Sequence, residues 1–312
     1  MSWERVVQPL VACVGNPVGG NPTQFVMTRL AREAELDWRF FTSQVDEELF
    51  ETAFRGVQAL GMSGAAILPP FQTSVDAFLG SISARSKALG AVQVAKWEDG
   101  QWIGDETLTS AILRALTHRI SSMVSKESLD SEAAFDPQSL GVVGTVGLTQ
   151  ALQLAVPEIP GDYQVSAFEL HAKRTKSQTS ENHSESESIP ETTPASPPAN
   201  DEPAITDRPV RALIVEQLDA IMSLSSHARH RLLKDTHWAK CPIAILVPPP
   251  TGWVDATKER SQWIEELESH EIQLIDELEI LTQQFAINFE FWTGYEPPLD
   301  SIRESLEEYL QW

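Results

Sequence analysis

Two clusters in this chain have residue types and spacing suited to holding phosphate. The first is Leu140-Gly141-Val142-Val143-Gly144-Thr145-Val146-Gly147, an apolar run that enters a glycine turn and is followed by a helical pattern through Leu154. A strand–turn–helix unit of this kind aims backbone N–H groups and the positive end of a helix dipole at an anion. Glycine is needed where the backbone must approach phosphate closely, and Gly144 and Gly147 are placed to do so. Val146 suits the role less well, because its Cβ crowds a ligand and disfavours positive φ. The second cluster is Lys173-Arg174-Thr175, just after the next apolar run. An arginine fork can bind two phosphate oxygens at once; the same triplet also reads as a solvated basic turn ahead of an acidic stretch. Other chemistries find little support. No GxSxG or GxxxxGK[ST] spacing occurs. The seven histidines are scattered, and the His227/His230 pair has no carboxylate or cysteine partner in view. Cys13 and Cys241 belong to no CxxC or Cys/His cluster, so they read as buried reduced thiols and no structural metal is expected.

The elements that must position these residues alternate apolar runs with amphipathic stretches, the rhythm of an α/β protein with a parallel sheet. The pattern predicts strands at 9–15, 38–43, 64–68 and 91–97 and helices at 22–36, 46–60, 73–89 and 105–122. Val45-Asp46-Glu47-Glu48-Leu49 opens the second helix with carboxylates where the helix dipole favours them. Residues 123–138 read as a hinge. Beyond it strands are expected at 163–169, 211–215, 243–247 and 272–275, and helices at 277–293 and 299–312. Segment 176–208 is rich in Ser, Thr, Glu and Pro and almost without large apolar residues, so disorder is expected there.

Five blocks of the first half carry a resemblance. They are Gly15-Asn16-Pro17-Val18-Gly19-Gly20-Asn21-Pro22-Thr23, the helix after it, Gly64-Ala65-Ala66-Ile67-Leu68-Pro69-Pro70-Phe71-Gln72, Gly90-Ala91-Val92-Gln93 and Gly104-Asp105-Glu106-Thr107-Leu108. Their order and spacing resemble the substrate-binding domain of shikimate dehydrogenases, enzymes of aromatic amino acid biosynthesis. Asp276, Leu278, Gln284, Phe289 and Trp292-Thr293-Gly294 resemble that family's last helix. The resemblance implies an N-terminal α/β substrate-binding domain and a C-terminal Rossmann-type NADP-binding domain flanking a cleft. The boundaries it implies are 1–122, a hinge at 123–138, 139–276 with the insert at 176–208, and helices at 277–312 returning to the first domain. It also implies a catalytic lysine at Gln72 and an aspartate at Leu108. A glutamine amide has no proton to exchange at physiological pH and leucine can neither donate nor accept one, so no catalytic residue is assigned. Ala66 and Leu68 stand where polar contacts are implied. Asn21, Thr23, Gln72, Gln93 and Gln284 are the implied substrate-binding set, with Gly144, Gly147, Arg174 and Thr175 for the cofactor NADP. Asp105, Glu106 and Lys87 are the nearest substitutes for the missing acid and base. Pro248-Pro249-Pro250-Thr251-Gly252-Trp253 replaces a loop implied to lie near the nicotinamide.

Composition narrows the field further. The chain has 312 residues, 42% of them hydrophobic, and a net charge of −22. A phosphate backbone or an anionic membrane would be repelled, so neither nucleic acid nor membrane is an expected partner. No stretch nears the ~20 apolar residues that span a bilayer, and the first residues lack a secretory core, so a cytoplasmic location is expected. Three functions remain: a catalytically degenerate relative that binds a small polar ligand of shikimate type in its cleft; a working NADP(H)-dependent oxidoreductase on shikimate, 3-dehydroshikimate or a related hydroxy acid or cyclic ketone; and an interaction protein whose acidic 176–208 segment tethers a basic partner.

Overall fold

The computed structural model describes residues 8–126, 129, 136–168, 208–249 and 257–311. The first part of the chain runs β1 (Leu10–Gly15), α1 (Thr23–Glu33), β2 (Arg39–Gln44), α2 (Phe50–Ala59), β3 (Gly64–Ile67), β4 (Ser81–Ile82), α3 (Ala84–Leu89), β5 (Val94–Glu98), β6 (Gln101–Asp105) and α4 (Leu108–Ser125). Its six strands form one sheet in the order β2-β1-β3-β5-β6-β4. The sheet is mixed, where the sequence rhythm predicts a parallel one. β2, β1 and β3 pair in parallel, while β5 runs antiparallel to both β3 and β6. A hairpin at Asp99-Gly100, both at positive φ as a two-residue turn matched to strand twist requires, sets β6 antiparallel to β5. The helix expected at 105–122 therefore begins only at Leu108. The single helix expected at 73–89 is instead two short 3₁₀ turns, the strand β4 and the brief α3.

The second part runs β7 (Gln138–Val143), α5 (Val146–Ala155), β8 (Tyr163–Ala167), β9 (Val210–Val215), α6 (Leu218–Met222), α7 (Ser226–Asp235), β10 (Trp238–Leu246), α8 (Lys258–Ser269) and β11 (Gln273–Ile275). These strands are all parallel, in the order β8-β7-β9-β10-β11. Every residue of β7 and β9 is buried, the mark of a sheet covered on both faces. Ala212 and Ile214 pack toward α4 and α5; Leu213 and Val215 face Leu233, Trp263 and Leu267 of α7 and α8. β10 starts at Trp238, five residues before the expected 243, and Arg211, fully buried, reaches across to it. That guanidinium hydrogen-bonds Gln138 Oε1 at 2.6 Å and the Lys240 and Cys241 carbonyls. The same place carries a register shift and Cys241 at φ 56°, so Cys241 lies inside the strand it was expected to precede.

Two helices close the fold: α9 (Glu277–Thr293) and α10 (Leu299–Leu310). Leu278, Leu281, Phe285 and Phe289 of α9 pack with Val11, Cys13 and Ala66 of the first sheet, whereas Ile280 joins the core of the second. Trp292 crosses the first sheet at Gly64, where an added Cβ would lie 2.5 Å from the indole, and its Nε1–H donates to the Ala95 carbonyl at 3.0 Å. α4 also serves both halves. Its N-terminus borders the first sheet and its apolar face, from Leu108 to Met123, is buried in the core of the second. Among the described residues no helix is long and apolar enough to cross a membrane.

Candidate functional site

A cavity of about 110 Å³ lies between the two sheets, where the carboxyl ends of their strands face each other. The loop after β1 brings Asn21, and the segment leaving β3 brings Leu68 and Gln72. The two loops are tied together by hydrogen bonds from Leu68 N–H to the Val14 carbonyl, 2.8 Å, and from Asn16 N–H to the Pro69 carbonyl, 3.0 Å. Asn21 Oδ1 accepts the Thr23 N–H at 3.0 Å and so starts α1. Thr23 is itself buried and flanks the Cys13 thiol, which burial pushes up to about 12. Gln72 donates from Nε2 to the Ile67 carbonyl at 2.9 Å.

Gln93 is an organiser of the cavity wall. Its Oε1 accepts the N–H groups of Thr107 and Leu108, at 2.9 and 3.1 Å, and so caps the first turn of α4. Gln284 on α9 donates to the same oxygen at 3.2 Å, and Asn288, one turn further on, accepts the Thr107 hydroxyl at 2.7 Å. Leu108 completes the wall with an apolar side chain that is also part of the core. The cavity thus gathers Asn21, Thr23, Gln72, Gln93 and Gln284.

The suggested substitutes for an acid and base lie elsewhere. Glu106 is fully buried, accepts the Thr109 N–H and hydroxyl, and sits 3.2 Å from Arg85 Nε. Burial pushes its carboxyl up, and the Thr109 hydrogen bonds and the Arg85 charge offset this only in part. Asp105 accepts the Glu106 N–H at 2.8 Å, and Lys87 is exposed on α3. None of the three lines the cavity.

On the side of the second sheet the strand order reverses between β7 and β9, the crevice where doubly wound sheets hold ligands. The glycine turn after β7 stands there with Thr145 as the N-cap of α5, its Oγ1 accepting Leu148 N–H at 3.2 Å. A neighbour that sequence reasoning missed is Glu216, the residue after β9. Its Oε2 accepts the Thr145 N–H at 2.5 Å, and a Cβ on Gly144 would meet the same carboxylate. Gly147 faces the other way. A Cβ there would lie 2.8 Å from the Leu89 carbonyl and 3.1 Å from that of Ala88, at the end of α3. Arg85 of α3 adds an ion pair to Glu158, 2.7 Å, beyond α5. Two donors of the first turn are thus already engaged, and an incoming anion would meet a carboxylate.

Glu216 is the one ionisable side chain among the described residues lining the cavity. It could have been found from its position directly after the buried run at 211–215, on the ligand side of a parallel sheet. Asn288, four residues beyond Gln284 on one helix face, carried a similar signal. Val247, Pro248 and Pro249 also line the cavity. Arg174 and Thr175 lie outside the described residues, as do Lys173, Pro250 to Trp253 and 176–207 of the acidic segment.

Comparison with known proteins gives a consistent picture. Residues 13–94 match the family model described as the shikimate dehydrogenase substrate binding domain. A shikimate dehydrogenase (NADP(+)) from Methanococcus maripaludis is 20% identical over 300 residues, covering 95% of this chain and 96% of the relative. Among solved structures, shikimate 5-dehydrogenase from Thermus thermophilus in complex with NADP(H) and shikimate has TM-score 0.61 at 14% identity, covering 97% and 100% of the two chains. The ligand-free 5-ketofructose reductase of Gluconobacter has TM-score 0.59 at 16% identity, covering 97% and 99%. The fold is the two-domain α/β fold of shikimate dehydrogenases, with an N-terminal substrate-binding domain and a Rossmann-like parallel sheet.

Proposed function

We propose that this chain, whose membership of the shikimate dehydrogenase family is strongly supported by the family model, the relatives and the solved structures, binds a small polar ligand in its interdomain cleft without the family's proton relay. One observation carries the reading. The positions implied to hold a lysine and an aspartate are Gln72 and Leu108, and both line the cavity. Loss of one positioned acid–base group costs ~10²–10⁴ in rate, and here two are replaced by side chains that do not titrate near neutral pH.

The glycine turn supports the same reading. A bound nicotinamide dinucleotide would supply the hydride chemistry of an oxidoreductase, and its pyrophosphate would be expected at Gly144, Thr145 and Gly147. As arranged, the Thr145 N–H holds Glu216 and Gly147 packs against α3, so Glu216 would have to release that N–H before a pyrophosphate could take it. What remains for a ligand is a set of amides and hydroxyls that can orient ligand oxygens.

A second reading, a working reductase of the same family, has Glu216 in its favour, because a carboxylate in the cavity can in principle move a proton. The two separate in one assay: NADPH formation from NADP⁺ and shikimate, with protein near substrate concentration. The expected result is no turnover by the natural chain. Turnover that disappears in Glu216→Gln would establish the reductase instead. Turnover gained by Gln72→Lys/Leu108→Asp would show a cleft that lacks only its relay.

A further inference from the structure

We infer that the cleft selects its ligand by charge, taking an uncharged or cationic polyhydroxylated molecule and disfavouring a carboxylate, with Glu216 as the selecting residue. This rests on the cleft being the ligand site. The described lining contains amide side chains, one threonine, apolar groups and a single carboxylate, and no lysine or arginine. Three arginines elsewhere among the described residues are held by carboxylates. Arg85 is shared among Asp105, Glu106 and Glu158; Arg119 holds Glu279; Arg260 holds Glu277.

Among the described residues, a ligand carboxylate entering this cavity would shed water and meet neutral donors and no lysine or arginine, beside the Glu216 carboxylate. Desolvating an unpaired charge is among the most unfavourable events in binding, and a like charge nearby adds to it. The overall charge of −22 acts in the same direction at longer range. Ligand hydroxyl or ammonium groups meet the opposite situation. Glu216 spends Oε2 on the Thr145 N–H, and among the described residues its Oε1 takes no hydrogen bond, so that atom can accept from a ligand. Across the cavity, Gln72 and Gln284 each commit Nε2 to protein acceptors, which leaves their carbonyl oxygens to receive further donors.

A matched pair of probes tests this: shikimate, which carries a carboxylate, and its methyl ester, which keeps every ring hydroxyl and is neutral. Both are titrated by calorimetry into the full chain, into Glu216→Gln and into Asn21→Ala. The expected result is that the natural chain binds the ester on the order of tenfold or more tightly than the acid, that Asn21→Ala weakens the ester, and that Glu216→Gln narrows the gap by improving the acid. If the natural chain binds shikimate as tightly as the ester, the charge rule is overturned and the cleft survives as a ligand site; this comparison needs no variant. An undiminished gap in a folded Glu216→Gln chain overturns the assignment to Glu216. If neither probe binds at millimolar concentration, or Asn21→Ala leaves ester binding untouched, the ligand-site reading fails and this inference fails with it.

Discussion

Glu106 shows what a single buried carboxylate does to a protein of this charge. It has no exposed surface, and burial raises its folded-state value above the ordinary 4.5 despite Thr109 and Arg85. A group whose value is raised by folding favours the fold fully below its unfolded value and loses that contribution as pH climbs through the folded one. Glu106→Gln removes the titration and keeps the shape. The melting temperature of the variant should therefore gain on that of the natural chain as pH rises above the ordinary carboxylate range; parallel curves would contradict the upward shift. The motif containing Glu106 was readable from sequence, but its depth was not, because burial depends on α3 and on the segment after α5 arriving from elsewhere. Glu216 is the converse case. Its place after an apolar run was visible, yet its meeting with Thr145 joins residues 71 apart in the chain.

Among elements, periodicity found the long ones and misjudged the short. β1, β3, β7, β9 and α9 each announce themselves by an apolar run or a helical stripe. The region 73–89 did not, since 3₁₀ turns and a two-residue strand give too few residues to establish a period. The signal for β6 was the Asp99-Gly100 turn, which a helical reading of 105–122 obscured. Tight crossing of elements supplies a test. In Gly64→Ala a methyl group would lie within 2.5 Å of Trp292, whose indole joins α9 to β5. Overpacking at a closed site typically costs ~1–3 kcal/mol, so a fall in denaturation midpoint with a changed tryptophan emission is expected. An unaltered midpoint would mean that α9 shifts freely against the sheet, contrary to the packing described.

For the molecule as a whole, the resemblance carried by glycines and prolines anticipated two α/β halves around a cleft, while the contacts between the halves were beyond it. Those contacts concentrate where α3 meets α5, at Gly147 and the Arg85–Glu158 pair. Gly147→Ala should destabilise the chain by about 1–3 kcal/mol, against a helix-propensity gain of at most about 1 kcal/mol. Hydrogen exchange should rise in α3 and α5 together; a rise in α5 alone would mean that the halves do not bear on each other there. Considered as mechanics, this dock is a clamp. The α3–α5 contact pins the two halves beside the glycine turn, while α4 and α9 run through the cores of both. A ligand reaching the glycine turn would therefore meet Glu216 where the halves are held closest, and one resting among Asn21, Gln72 and Gln284 would not.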